Sequence, residues 1–255
     1  MSTSTDTSRG LALGLLGVVI FAATLPMTRL AVGDAGAPQL PPAFVTAGRA
    51  AVAGLLSALW LLALRAPRPP RRQWLALGIS AVGTVVGFPL FLSLALRHVE
   101  SIHAAVITGV LPLATAAVAA LALRQRASVG FWACAVAGCA LVVVYAAWQG
   151  SGGFSAADGL LLLAVLSAAI GYVGGARAAT AMPATQVICW VLVLSLPLTL
   201  PASWWWQPQA PATWAAWGGF AYVSLFSMWL GFFAWYRGLA LGGVMRVSQV
   251  QLLQP

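Results

Sequence analysis

The sequence predicts an all-α, polytopic transmembrane helix bundle built from two inverted five-helix repeats. Three observations lead to this prediction: an apolar composition, a series of apolar runs as long as a bilayer is thick, and an internal repeat. Of the 255 residues, 61% are hydrophobic and 7% are charged, whereas soluble domains are typically about 25% charged. We therefore expect lipid to be the solvent for most of the chain.

Eight apolar runs are long enough to cross a bilayer as helices. The hydrocarbon core is about 30 Å thick and a helix rises about 1.5 Å per residue, so a span needs about 20 predominantly apolar residues. A ninth run begins near Val244 and reaches Pro255. The short, polar connections leave no segment for a soluble domain. The eight complete runs are Leu11–Leu30, Ala43–Leu64, Trp74–Leu96, Ile102–Leu123, Ser128–Trp148, Gly159–Ala179, Ala184–Trp204 and Trp214–Tyr236.

The arginines predict which way the chain crosses the membrane. Short cytoplasmic loops accumulate Lys and Arg. With the N-terminus in the cytoplasm, only Arg29 and Arg97 lie at outer ends, and Arg49 lies within the second run. We therefore predict a multi-pass protein of the plasma or inner membrane with a cytoplasmic N-terminus. The cytoplasmic connections then hold Arg9, Arg65, Arg68, Arg71, Arg72, Arg124, Arg126, Arg177, Arg237 and Arg246.

The two halves of the sequence resemble each other. Short motifs recur in the same order, and the offset between the copies falls gradually from 149 to 143 residues. Order and spacing kept over a whole half indicate a duplication rather than chance. The matched pairs are Gly10 with Gly159, Arg29 with Arg177, Gly87-Phe88 with Gly231-Phe232, and Pro112 with Pro255.

The first half contains five spans, and an odd number makes the second half enter the membrane from the opposite side. The halves are therefore predicted to be inverted repeats. We predict a cytoplasmic tail at 1–10, a first five-helix repeat at 11–148, a linker at 149–158 and a second repeat at 159–255 that holds helices 6 to 9. Since about 36 residues follow Pro112 within the first repeat and none follow Pro255, we expect the natural protein to have ten spans.

Several short motifs carry a family resemblance. They are Arg49 early in the second span, Ala95-Leu96 at the end of the third, Leu111-Pro112-Leu113 in the fourth, and Gln249–Pro255 in the ninth. With these motifs the chain resembles the EamA-like family of the drug/metabolite transporter superfamily. The resemblance covers nearly the whole chain and implies ten helices in two five-helix repeats. One departure is Arg124-Gln125-Arg126, which stands where the family often has Gly-Glu, so no role of that glutamate is carried over.

Inverted repeats and the resemblance both favour a secondary transporter. In such proteins the substrate binds near the middle of the membrane, between repeats that alternately open to either side. The hypothesis is a carrier that moves a small metabolite, amino-acid-like or amphipathic, out of the cell by alternating access. The alternative is a membrane scaffold or receptor without flux. The partners implied are a small-molecule solute and the lipid bilayer, with a homodimer left open and nucleic acid not expected.

The matched prolines are the first candidates for a binding site. A proline inside a helix removes the hydrogen bond to the carbonyl four residues earlier, so Pro112 would free the carbonyl of Thr108 and Pro255 that of Gln251. In lipid such a carbonyl needs a partner, which a water-lined cavity or a substrate can supply. The prolines therefore either line a central site, together with Thr108 and Gln251, or bend helices for packing.

The ninth run carries an unusual number of polar side chains, among them Ser248, Gln249 and Gln251. Ser248, Gln251 and Pro255 fall on one helical face, since residues three and four apart are neighbours there. Uncharged amides can hold helices together, but polar groups inside membranes more often mark pathways. We therefore expect this face to contact solute.

Three further residues are candidates for substrate binding. Arg49 is expected to extend along its helix toward the outer surface; the alternative is that it acts as a counter-charge for an anionic or zwitterionic solute. Tyr172 and Trp229 are candidates for the wall of an aromatic cavity. Aromatic side chains in membrane helices more often pack against other helices or lipid.

The sequence offers no catalytic, cofactor or metal site. His98, Glu100 and His103 do not have the His-Glu-x-x-His spacing that binds zinc on one helix face. An enzyme would need a nucleophile and a base, or metal ligands, that converge within the spans. We therefore predict that the chain is not an enzyme, and we expect no carboxylate inside a span to act as a proton relay. The four acids, all expected in tails or loops, are Asp6, Asp34, Glu100 and Asp158.

Overall fold

The computed structural model of the chain is an all-α bundle, as the sequence predicts. The structure describes residues 4–123 and 155–253, with scattered residues between 129 and 144. Among these residues there is no β-strand, and seven helices are long and apolar enough to cross a membrane. Numbered by the predicted runs, they are span 1 (Asp6–Val32), span 2 (Pro42–Ala63), span 3 (Arg71–Ala95), span 4 (Ser101–Ala122), span 6 (Ala156–Ala179), span 7 (Ala184–Trp205) and span 8 (Trp214–Gly242).

Parts of the predicted organisation lie outside the described residues. The predicted fifth run, Ser128–Trp148, is described only at scattered positions, and Arg124-Gln125-Arg126 is not described. The start of the ninth run forms an α-helix at Val244–Ser248 and a 3-10 helix at Gln249–Leu253. The count of ten spans therefore remains a prediction.

Prolines interrupt spans 1 and 4. Span 1 consists of α-helices Ser4–Ala22 and Thr24–Val32, and Pro26 near the break has no N–H to donate back to the preceding turn. Span 4 consists of α-helices Ser101–Thr108 and Leu111–Ala122. Pro112 is the second residue of the latter helix, where a helix does not need the missing N–H. Span 4 is therefore broken directly before Pro112, and a part of this proline in a binding site stays a prediction.

Spans 3 and 8 each contain a π-helical segment, at equivalent places in the two repeats. In span 3 it covers Ala81–Gly87, between α-helices Trp74–Ser80 and Phe88–Ala95, after a 3-10 turn at Arg71–Gln73. In span 8 it covers Val223–Leu230, between α-helices Trp214–Tyr222 and Gly231–Gly242. π-Helical turns are rare in proteins, and those that occur often lie at functional sites. Because they recur at matched positions, we expect a functional site between these two spans.

The helices pack as two inverted repeats require. Span 1 packs along span 8, and span 6 packs along span 3. Span 2 packs along span 7, and the ninth segment contacts span 4. Exchanging spans 1, 2, 3 and 4 with 6, 7, 8 and 9 converts the contact of spans 1 and 8 into that of spans 6 and 3. The same exchange converts each of the other two contacts into itself. The packing therefore has the approximate two-fold symmetry that the sequence repeat predicts.

Loops 33–41, 96–100 and 206–213 meet at one end of the bundle, which we call the predicted outer end. Both arginines that the sequence assigns to this end donate hydrogen bonds to backbone carbonyls. Arg29 donates to the carbonyl of Leu96, and Arg97 Nη2 donates to the carbonyl of Leu40 at 3.2 Å. Arg29 also lies 3.7 Å from Asp34. These contacts tie span 1, span 3 and their loops together.

Glycine allows spans 3 and 6 to approach closely. A Cβ added at Gly83 would lie 2.7 Å from the Cα of Gly171. Gly78, on the same span, has no atom of the described residues within 4 Å of such a Cβ. The two glycines therefore form a matched pair, of which only Gly83 lies at a tight helix contact.

Gly83→Ala is expected to destabilise the protein, whereas Gly78→Ala is not. Inserting a methyl group into a filled contact typically costs about 1–3 kcal/mol. Alanine at an open helical site favours the helix by about 1 kcal/mol relative to glycine. The check is the midpoint of thermal unfolding of each purified variant in detergent. Equal midpoints for the two variants would contradict the close packing of spans 3 and 6.

Candidate functional site

A cavity of about 270 Å³ lies between the two repeats. It extends from the middle of the spans toward the predicted outer end, where Ser101 begins span 4. Most of its wall is apolar, with a few polar side chains, which is the usual composition of a small-molecule site. The polar side chains of the wall are Thr24, Arg49, Thr84, Ser101, Thr108, Tyr172, Ser227 and Gln251.

Arg49 is buried in the wall of this cavity and is only 1% exposed. Its Nη2 donates to Ser227 Oγ at 2.9 Å, and that oxygen lies 2.9 Å from Thr24 Oγ1. Within the described part of the chain, Nε and Nη1 have no hydrogen-bonding partner and no acidic side chain pairs with Arg49. The expectation that Arg49 extends toward the outer surface is therefore wrong, because span 8 holds its side chain inside the bundle.

The environment of Arg49 favours an anionic ligand. An arginine at the centre of a membrane helix costs about 2.5–3.5 kcal/mol on insertion scales, and the hydroxyl of Ser227 offsets only part of that cost. Guanidinium binds carboxylate with two parallel hydrogen bonds, and these are stronger than bonds between neutral groups. Nη2 has a second N–H besides the one that bonds Ser227, and with it one of the two unused nitrogens of Arg49 can form such a pair.

Gln251 adds a second unsatisfied polar group to the cavity wall. The side chain is 2% exposed, and its Oε1 and Nε2 have no hydrogen-bonding partner among the described residues. A buried amide without partners costs about 1–3 kcal/mol. Because an amide has both donors and acceptors, a polar solute in the cavity can satisfy Gln251.

Aromatic rings form one side of the cavity. The ring centroids of Phe21 and Phe232 are 5.2 Å apart, and those of Tyr172 and Phe232 are 6.0 Å apart. All three residues line the cavity, as does Phe88. Such a wall provides apolar contact, and the faces of aromatic rings also attract cations. Tyr172 therefore lies in the cavity wall, and its contact with a solute stays a prediction.

Three other predicted site residues lie on or behind the wall of span 4. Thr108 lines the cavity, but its hydroxyl donates to the carbonyls of Ala104 and Ala105 at 2.8 and 3.2 Å. Pro112 lies outside the wall, and its carbonyl accepts a hydrogen bond from Gln249 Nε2 at 3.5 Å. Gln249 therefore joins the ninth segment to span 4 instead of facing the cavity.

The remaining predicted site residues do not contribute to the described cavity wall. Ser248 is buried, and its hydroxyl donates to the carbonyl of Met245 at 3.3 Å. Trp229 packs against Trp60 and Phe233, with ring centroids 6.1 and 5.2 Å away. Pro255 lies outside the described residues. Of the described members of the polar face predicted in the ninth run, only Gln251 reaches the cavity.

The structure adds cavity residues that the sequence analysis missed, chiefly Thr24, Pro26 and Ser227. Single hydroxyl groups in apolar runs are a weak signal, because they usually bond a carbonyl one turn earlier on their own helix. Thr84, also in the wall, does this with the carbonyl of Ser80 at 2.7 Å. Thr24 and Ser227 instead contact each other across spans 1 and 8.

A second buried polar group joins the repeats near the predicted outer end. His103 Nε2 lies 2.6 Å from Asp158 Oδ1. Asp158 is in the first turn of span 6, where its Oδ2 accepts from the backbone N–H and hydroxyl of Ser155. The sequence placed Asp158 in a loop, and that placement is wrong. No three His, Cys, Asp or Glu side chains of the described residues gather as a metal site would require.

The model of the EamA-like transporter family matches this chain twice, at residues 8–146 and 155–255. "Uncharacterized transporter YdeK" of Bacillus subtilis (strain 168) is 45% identical over 254 residues, which is 98% of this chain and 86% of that protein. A solved structure described as "Crystal structure of protein" is 20% identical with a TM-score of 0.69, covers 97% of this chain and 85% of its own, and shows the fold. This chain therefore belongs to the EamA-like transporter family.

Proposed function

We propose that this membrane transporter carries a small metabolite with a carboxylate group, and that Arg49 binds the carboxylate. The observation that supports the proposal is a buried guanidinium that lines a cavity, with two of its nitrogens lacking a hydrogen-bonding partner among the described residues. A buried cation without a counter-charge is costly. A solute that supplies the missing charge is therefore bound preferentially over its neutral analogues.

The rest of the cavity favours an amino-acid-like or amphipathic solute. Gln251 offers a donor and an acceptor to a second polar group of the solute. The aromatic wall of Phe21, Phe232 and Tyr172 accommodates an apolar side chain, and attracts an ammonium group through its ring faces. The volume of about 270 Å³ suits a compact metabolite better than a large drug-sized molecule.

We also propose transport by alternating access, with net export across the plasma or inner membrane. Support comes from the packing: spans 1 and 8 meet as spans 6 and 3 do, so an exchange of the two packing states would move the opening from one side to the other. The arginine distribution supports a cytoplasmic N-terminus. With that orientation, the cavity extends toward the side on which an exporter releases its solute.

Counterflow in proteoliposomes tests the proposal. Vesicles containing the purified protein are preloaded with an unlabelled amino acid, and uptake of the same amino acid in labelled form is measured. Leucine, threonine and phenylalanine are each compared with the corresponding carboxamide, which lacks only the carboxylate charge. We expect exchange of at least one amino acid, and about tenfold weaker competition by its carboxamide, equivalent to about 1.4 kcal/mol.

Two outcomes would count against the proposal. Equal competition by acid and carboxamide would show that the protein does not recognise the carboxylate. Arg49 would then not have the proposed role. Saturable binding of the amino acids without any exchange would favour the scaffold or receptor alternative over a carrier.

A further inference from the structure

We propose that His103 and Asp158 form a proton-binding site that joins the two repeats and controls how readily they separate at the predicted outer end. The pair lies apart from the Arg49 site, and its meaning for transport rests on the proposed function. An ionisable residue inside a membrane span marks a functional site more often than a structural one. Here the partner of that residue comes from the other repeat.

The geometry makes the pair a direct link between repeats. His103 belongs to span 4 of the first repeat and Asp158 to span 6 of the second, and the two atoms are 2.6 Å apart. Asp158 is 2% exposed, whereas 21% of the His103 side chain is accessible. Water can therefore deliver a proton to the imidazole while the carboxylate stays buried.

The chemistry assigns the proton to His103. A carboxylate only accepts hydrogen bonds, so the imidazole donates its Nε2–H to Asp158 and Nδ1 is the position that gains a proton. Ser155 holds the other carboxylate oxygen through two hydrogen bonds, at 2.9 Å each, which keeps the negative charge on Asp158. Imidazole changes its charge between about pH 5 and 8. The hydrogen bond to the Asp158 carboxylate is already charge-assisted, and protonation of the imidazole adds a positive charge that turns the contact into an ion pair.

Span 4 transmits this change to the cavity. Ser101, Ile102 and Ala105 lie on the same short helix as His103 and line the cavity wall. That helix ends at Thr108, and a turn at Gly109 and Val110 separates it from the rest of the span. A short helix with a break below it can tilt away from span 6 without moving the whole span. The strength of the pair therefore sets the position of this part of the cavity wall.

Other charged groups near His103 have their own partners or are exposed. Arg29 of span 1 donates to the carbonyl of Leu96, and Arg97 after span 3 donates to the carbonyl of Leu40. His98 and Glu100 are exposed to solvent, where charges are screened. Span 6 contributes Asp158 alone at this end. The titration we propose therefore belongs to the His103–Asp158 pair.

Distance measurements by pulsed electron paramagnetic resonance test the site without any solute. Cys134, Cys139 and Cys189 are replaced by alanine, and spin labels are attached to cysteines introduced at Ile102 and Trp205. Both positions are strongly exposed, and they lie on different repeats at the predicted outer end. We expect two distance populations whose ratio changes by about threefold to tenfold between pH 5 and 8, since about 1.4 kcal/mol corresponds to tenfold.

Variants of the two histidines separate the proton site from a merely structural contact. His103→Gln keeps a hydrogen bond without a charge and is expected to remain in the high-pH population. His103→Lys keeps a permanent charge and is expected to remain in the low-pH population. Asp158→Asn is expected to abolish the pH response, whereas His98→Gln, at the other histidine of the chain, keeps it.

The proposal would be overturned by an unchanged pH response in His103→Gln, or by the absence of any response in the unsubstituted background. A failure of counterflow for every amino acid would affect the proposed carrier function and leave this measurement intact. Conversely, normal counterflow together with pH-independent distances would refute the proposed proton site and leave the proposed carrier function supported.

Discussion

Arg49→Met is expected to lose about 100-fold in affinity for a carboxylate solute while the protein remains at least as stable. Truncating one member of a buried, hydrogen-bonded charge pair typically costs about 2–5 kcal/mol of binding, and about 1.4 kcal/mol is a factor of ten. Without solute, no acidic side chain in the described part of the chain pairs with the guanidinium. Replacing buried charges by apolar side chains of similar volume is often neutral or stabilising by about 1–4 kcal/mol.

The check combines two measurements on the same purified variants. Competition in counterflow reports affinity, and thermal unfolding in detergent reports stability. Arg177→Met is the matched control, because Arg177 is exposed near the other end of the bundle, and it is expected to keep the original affinity. A destabilised Arg49→Met protein that still discriminates acid from carboxamide would show that Arg49 serves the fold and not the solute.

Gln251→Leu is expected to weaken solute binding about tenfold and to leave the fold intact. The amide of Gln251 has no hydrogen-bonding partner of normal geometry among the described residues, so its removal deletes no such hydrogen bond within the protein. In the loaded protein it deletes a hydrogen bond to solute, worth about 0.5–1.5 kcal/mol when neutral and more when charged. Leucine fills most of the same volume.

Gln249→Leu is the matched control, two residues away in the same 3-10 segment. Its side chain donates to the carbonyl of Pro112 and does not line the cavity, so the substitution is expected to lower the unfolding midpoint without changing solute preference. The two variants should therefore show opposite patterns in counterflow and in thermal unfolding. The same pattern in both variants would mean that Gln251, like Gln249, is a packing residue.

Hydropathy alone predicted most of the described fold. The predicted runs Ala43–Leu64 and Ala184–Trp204 differ by one residue from the observed spans Pro42–Ala63 and Ala184–Trp205, since a span must match the thickness of the bilayer. The repeat predicted two inverted halves, and the observed packing of the described spans has the approximate two-fold symmetry that such halves require. Hydropathy does not distinguish a π-helix from an α-helix, so the segments Ala81–Gly87 and Val223–Leu230 were not foreseen.

The candidate site was predictable only in part, because its contacts join distant parts of the chain. Arg49 and its partner Ser227 are separated by 178 residues, and no local pattern reveals that pairing. Gln251 was found because an amide in an apolar run is unusual in itself. Asp158 could have been placed in a helix, since Ser155 three residues earlier forms the N-terminal capping pattern. Its contact with His103 required the tertiary structure.

The solitary charge on Arg49 has an electrical consequence for the proposed carrier. No acidic side chain of the described residues compensates this positive charge, and a bound carboxylate would neutralise it. Moving one elementary charge across the whole membrane against a voltage of 100 mV costs about 2.3 kcal/mol. For a solute whose only charge is the carboxylate, voltage therefore acts mainly on the return of the unloaded protein. An interior-negative cell would hold that charge toward its cytoplasm, the side where an exporter must collect its cargo. A zwitterionic amino acid leaves the positive charge in place, so voltage would then act on the loaded protein as well.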